Sequence, residues 1–238
     1  MTGAPVFHPP DAATTALFLA IVGAVLLAFL AGVWRGAAAD GSRPAARTAY
    51  AALGAFVWLM VLGEFVAKGA VAQAPMPALL VFVGASILMA LAVGLSPIGA
   101  SIARGVPIGA LVAFQGFRLP LELILHDWAR QGSIPWTMTW SGSNFDIVSG
   151  AVALLAAPFA ARRRPVAWIA NGIGLLLLVN VARVAILSSP LPFAWHVEPP
   201  LLLAAHHPYA LIVPVCVAGA LLGHVVLTRA LFRPRAPR

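Results

Sequence analysis

The sequence predicts an all-α, polytopic integral membrane protein of about seven transmembrane helices, N-terminus outside and C-terminus inside, on three observations. Hydrophobic residues fill 61% of the 238 positions and charged residues only 9%, whereas a soluble domain carries about 25% charged residues. So few charges cannot cover a water-facing surface. Apolar runs of bilayer length recur along the whole chain, and the arginines collect at alternate ends of those runs. Mean hydropathy is +0.95. The net charge of +8 is therefore read as a topology signal rather than a nucleic-acid surface, and no nucleic-acid partner is expected.

A helix needs roughly 20 apolar residues to cross the hydrocarbon. The first run, about 15–34, has no lysine or arginine before it and is longer than the apolar core of a secretory signal, so it reads as a retained span. Further runs follow at 48–68, 76–95 and 107–126. The fifth, 146–161, is short, and 166–187 and 208–230 complete the set. No internal repeat, linker or second domain interrupts them, so residues 1–238 form one bundle. The single cysteine, Cys216, lies inside an apolar run, which excludes an intramolecular disulfide and a thiolate metal cluster.

Orientation follows from the basic residues. One set of ends holds Arg35, Arg43, Arg47, Arg104, Arg162, Arg163, Arg164, Arg229, Arg233, Arg235 and Arg238, and the other only Lys68 and Arg130. Short basic loops stay cytoplasmic, which predicts an inner (cytoplasmic) membrane protein. On that map most polar residues of the spans fall in the outer half.

The fourth run carries "QGFRLPLELILH". At about 100° per residue, Gln115, Arg118, Glu122 and His126 project within roughly 80° of one another. Such a stripe must face protein or a water-filled cavity, because a charge in lipid costs at least about 3 kcal/mol. Arg118 and Glu122, one turn apart, are expected to pair, and Pro120 between them to free a carbonyl and kink the helix. The stripe serves either a functional pocket or a structural network between helices.

In "TWSGSNFDIVSG", Ser143 and Asp146 have capping-box spacing at the start of the fifth run, with Asn144 beside amides that favour an anion. Asn180 and Arg183 share a face of the sixth run. Arg183 either snorkels to the headgroups or, as the preferred reading, faces inward toward Asp146 or Glu122. His126 with His206 or His207 is the one pairing that would hold haem or a metal ion between helices, although no His-x-x-x-His or Glu-x-x-His spacing is present; no cofactor is predicted. His224, alone in the inner half of the last run, reads as a helix-packing hydrogen-bonder.

The order of a small-residue turn entering a helix, then N-x-x-R, then a histidine before the last helix resembles the exosortase/archaeosortase family of membrane cysteine transpeptidases. The likeness covers about 80 residues: "VSG" at Val148, Ser149 and Gly150, then Asn180 and Arg183, then His196, His206 or His207. It implies a scaffold that processes exported substrates at the outer face. Val148 stands where that family's nucleophilic cysteine would be, so thiol acyl transfer is not implied.

Three functions remain open from the sequence. The first is a membrane enzyme acting on a lipid-linked, anionic or exported substrate. Glu122, His126, Asp146 and Arg183 would be catalytic there, and Gln115, Arg118, Asn144, Asn180, His206 and His207 would bind substrate. The second is a small proton-coupled transporter with Arg118–Glu122 as a gated pair. The third is a structural or assembly subunit among other membrane subunits.

Overall fold

The computed structural model describes residues 6–73 and 75–234. The described residues form helices and turns without a strand. Helix α1 (Ala12–Ala39) starts at Asp11, whose carboxylate accepts the Thr14 amide at 2.9 Å. The chain returns as α2 (Pro44–Ala67), with proline at the first helical position where no donor is needed. A single turn, α3 (Ala70–Gln73), leads into α4 (Pro75–Leu95). The connection 96–106, unassigned from sequence, is a short helix α5 (Pro97–Gly105) capped by Ser96.

The fourth predicted span is built from α6 (Ile108–Phe114), a 3-10 turn at Gln115–Phe117, and α7 (Arg118–Arg130). Pro120 explains the break. It has no N–H for the Gly116 carbonyl and its ring crowds that group, so the preceding turn tightens. Helices α8 (Ile147–Ala160) and α9 (Arg164–Ser188) follow. The last span combines a 3-10 turn, a π-helical turn at Val213–Val217, and α10 (Ala218–Phe232).

Six stretches of the described residues are long and apolar enough to cross a membrane: Ala12–Ala39, Pro44–Ala67, Met76–Leu95, Ile108–Arg130, Arg164–Ser188 and Tyr209–Phe232. The fifth predicted span falls short of that length. Helix α8 has 14 residues, about 21 Å at 1.5 Å per residue, against roughly 30 Å of hydrocarbon. The described residues therefore hold six such spans rather than seven, and the loop before α8 folds into the bundle, where Thr139 and Asn144 are fully buried. Irregular backbone at such depth is tolerated when protein surrounds it.

Two larger apolar cores hold the bundle, and a smaller one around Leu62, Val66, Phe82 and Ala210 joins α2, α4 and the last span. Trp128 of α7 packs edge-on against Phe18 of α1 and Tyr209 and donates its indole N–H to Thr14. The second core joins α1, α5, α6, α8, α9 and α10 around Val112, Ala160 and Leu227. Close approach of α1 and α5 depends on Gly36, where a Cβ would lie 2.6 Å from the Ser101 backbone. Large apolar side chains such as Leu53, Phe56, Leu80 and Leu176 point outward, the arrangement lipid calls for.

The arginines meet at one end of the bundle and cap helices there. Arg229 donates to the Gly94 and Ser96 carbonyls, Arg233 to that of Ala103, and Arg164 to those of Leu231 and Arg233. Apart from the Ser96 carbonyl, which also accepts the Ala100 amide, these are carbonyls at helix C-terminal ends, where intrahelical partners run out. Arg235 and Arg238, assigned to this end from the sequence, lie outside the described residues.

Candidate functional site

The break before α7 aims Arg118 into the middle of the bundle. Arg118, Glu122, Asp146, Asn144 and Gln115 are all buried. Arg118 makes a two-pronged ion pair with Asp146: Nε reaches Oδ2 at 2.6 Å, and a second terminal nitrogen bonds Oδ1. Its remaining nitrogen, Nη1, donates to the Gly174 carbonyl at 3.0 Å and lies 3.2 Å from His224 Nε2. A guanidinium only donates, so Nε2 is the acceptor and the His224 proton sits on Nδ1. That nitrogen is 2.8 Å from Asn171 Oδ1, and Asn171 Nδ2 donates to Thr228. Gly174 makes room for the imidazole: a Cβ there would lie 2.4 Å from His224 Cε1.

On the other side of the ion pair, Asn144 organises the loop that enters α8. Its Nδ2 donates to Glu122 Oε1 at 2.8 Å and to the Met138 carbonyl, while Oδ1 accepts the Asp146 amide. Buried polar groups therefore run continuously from Glu122 through Asn144, Asp146, Arg118 and His224 to Asn171, which hands on to the half-buried Thr228. Two atoms in this region have no partner, Glu122 Oε2 and Gln115 Oε1, while Gln115 Nε2 is held by the Ala220 carbonyl.

Beside this network lies a cavity of about 480 Å³ between α4, α7, α9 and the last span. Its walls are almost wholly apolar, with Arg118, Glu122 and Asp146 as the charged patch. Leu80 of α4 and Ile186 of α9 line it and are also exposed on the outside. The cavity thus opens sideways, toward lipid.

Several expectations need correction. The ion partner of Arg118 is Asp146, not Glu122, because the 3-10 break turns Arg118 toward α8. Asp146 does not close a capping box with Ser143; it is itself the residue before α8, and its carboxylate is taken by Arg118. Arg183 does not face inward. It is exposed, donates to Asn180 Oδ1 and lies over the Trp195 ring. Asn180 turns instead to the Ser143 carbonyl and pins the loop that carries Asn144 and Asp146.

The histidines have separate surroundings. His126 stacks on Trp140 with ring centres 4.1 Å apart, and its buried Nδ1 lacks a partner. His206 stacks on Phe7, where burial holds its pKa below the ordinary value, and His207 Nε2 meets the Gly63 carbonyl. Among the described residues no group of three or more His, Cys, Asp or Glu gathers as metal ligands. Of the residues resembling the sortase motifs, Val148 is exposed at the start of α8 and Ser149 is buried with an unpartnered hydroxyl.

Sequence reasoning left Asn171 and Thr228 out and kept His224 apart from the others. A signal for them existed. Ala167, Asn171, Gly174 and Leu178 form one buried stripe of α9, so Asn171 is the polar member of a packed face, and Thr228 follows His224 by one turn. Compared with family models, curated proteins and solved structures, the chain gives no match.

Proposed function

We propose that this multi-pass membrane protein is a membrane-embedded enzyme that takes the apolar part of a lipidic or lipid-linked molecule into the cavity from the side. Glu122 then transfers a proton at the molecule's polar end. The observation that carries the reading is Glu122 Oε2, a buried carboxyl oxygen without a partner on the wall of a lipid-facing cavity. Arg118 and Asp146 neutralise each other and act as positioning residues, with Asn144 fixing the orientation of Glu122. Arg183, His206 and His207 do not reach this point; at the bundle end they suit contact with a substrate headgroup or another membrane subunit. The exosortase-like order of motifs fits such a scaffold without thiol chemistry. The protein belongs in this reading to the inner membrane, with the arginine-rich end in the cytoplasm.

Comparative lipid analysis of a strain lacking the protein tests it. Loss should cause one lipid-linked species to accumulate, and the wild-type gene should remove it. Glu122→Gln should fail to do so while leaving the protein folded, since its remaining carbonyl oxygen still accepts from Asn144. Full rescue by Glu122→Gln would discard the proposal.

One observation favours a second reading, proton-coupled transport: the polar chain does not stop in the half where the sequence concentrated it but reaches Thr228, one turn from the end of α10. Proton flux into liposomes carrying the purified protein, abolished by His224→Phe, would select transport over the enzyme reading.

A further inference from the structure

A second cavity, about 600 Å³, lies on the other side of the bundle, between α2 and α4 with α1 and α10 as its floor. It has no part in the polar network above. Phe29, Val33, Gly54, Trp58, Met89 and Val93 give it apolar walls. Few residues of α2 are buried, Leu62 and Val66 near its far end, so along most of its length α2 leaves this groove open to the membrane.

The two ends of the groove differ. At the arginine-rich end Arg47 and Tyr50 line it, and both are exposed. The one acidic group close by is already engaged. Asp40 accepts Arg104 Nε at 2.7 Å, Arg104 Nη2 at 2.8 Å and the Ser101 hydroxyl at 2.6 Å. Arg47 stands 3.7 Å from it, so a stronger partner can take the Arg47 guanidinium without leaving Asp40 bare. Arg43, exposed at the start of α2 and making no side-chain cap bond, adds a second cation.

An occupant must therefore be apolar along Tyr50, Gly54 and Trp58 and anionic where it meets Arg47. We propose that the groove between α2 and α4 is a binding site for an anionic phospholipid, its acyl chain along Gly54 and Trp58 and its phosphate on Arg47 with the Tyr50 hydroxyl. Charge complementarity selects this occupant: a zwitterionic lipid would fill the groove equally well but bring a cation toward Arg47 and Arg43.

Gly54 offers a clean test, since a Cβ there meets nothing within 4 Å. The Cβ of a leucine at this position enters open space at the groove, and leucine raises the helix propensity of α2. Full-length protein, purified in mild detergent and titrated with phosphatidylglycerol or phosphatidylcholine, is read by native mass spectrometry. A second readout is quenching by bromine-labelled acyl chains, taken as the difference between wild type and Trp58→Phe. Phosphatidylglycerol should bind the wild type in preference. Arg47→Gln should weaken it roughly fivefold, the weight of one arginine near an anionic headgroup. Gly54→Leu should abolish quenching at Trp58 while leaving the unfolding temperature unchanged. Equal binding of both lipids, or full quenching in Gly54→Leu, overturns the proposal. A dimer lost in Gly54→Leu, with no lipid retained, overturns it in favour of a second copy of the chain.

Discussion

Arg118 is the residue on which the interior turns. Its guanidinium is buried, paired with Asp146 and bonded to Gly174 and His224. Removing one partner of a buried pair strands the other charge, at a cost of about 3–5 kcal/mol. Arg118→Met and Asp146→Asn should each lower unfolding stability by that order in detergent titrations. The double change Arg118→Met with Asp146→Leu should recover a large part of the loss, because no charge is then left alone. Glu122→Gln should sit apart from both, near wild-type stability. Glu122 Oε1 is satisfied by Asn144, and the amide keeps that acceptor. A Glu122→Gln loss as deep as that of Arg118→Met would mean that Glu122 is part of the scaffold rather than its active group.

At the scale of elements, the site exists because α7 and α8 touch backbone to backbone. A Cβ at Gly150 would lie 2.4 Å from the Leu119 amide nitrogen, with no flexible side chain to give way. This contact sets Arg118, one residue earlier, opposite Asp146, one turn before Gly150. Gly150→Leu should force the helices apart and cost about 1–3 kcal/mol for overpacking, with further loss as the ion pair opens. The check is thermal unfolding of Gly150→Leu beside Gly172→Leu, whose site has nothing within 4 Å of a Cβ. Similar losses for the two would remove the special role of the α7–α8 contact.

For the whole molecule, the arginine-rich end should lie in the cytoplasm. A fluorescent protein fused after Arg238 should fluoresce, and alkaline phosphatase at the same place should be inactive; the reverse pattern inverts the topology. That end also holds the α1–α5 joint, where Asp40 meets Arg104 and Ser101. These hydrogen bonds, that of Arg104 first, hold the Asp40 carboxyl well below the usual carboxylate range. A depressed folded-state pKa contributes stability above the unfolded value and loses it as pH falls. The difference in unfolding temperature between wild type and Asp40→Asn should therefore be full near neutral pH. It should begin to shrink below about pH 4, the ordinary carboxylate value, and vanish only in stronger acid. A difference that stays constant into strong acid would show that Asp40 does not carry this linkage.

What the sequence determined by itself was the membrane class, the position of six of the seven predicted spans within a few residues, and the gathering of arginines at one end; the run 146–161 is too short to be the seventh. These properties depend on apolar length and on charge counted along the chain, which are one-dimensional quantities. The polar stripe of the fourth span was legible too: Gln115, Arg118 and Glu122 were named from it, and Asn144 and Asp146 from the loop before α8. The sequence did not contain which of them pair. Helical spacing put Arg118 next to Glu122, and a proline-induced break together with a glycine contact gave it to Asp146. Arg183, promising by its N-x-x-R spacing, faces outward, while Asn171, His224 and Thr228 join the network from two helices that the chain brings together only on folding. Pairing across helices depends on the rotation and depth of each helix against its neighbours, and only the packed bundle decides those.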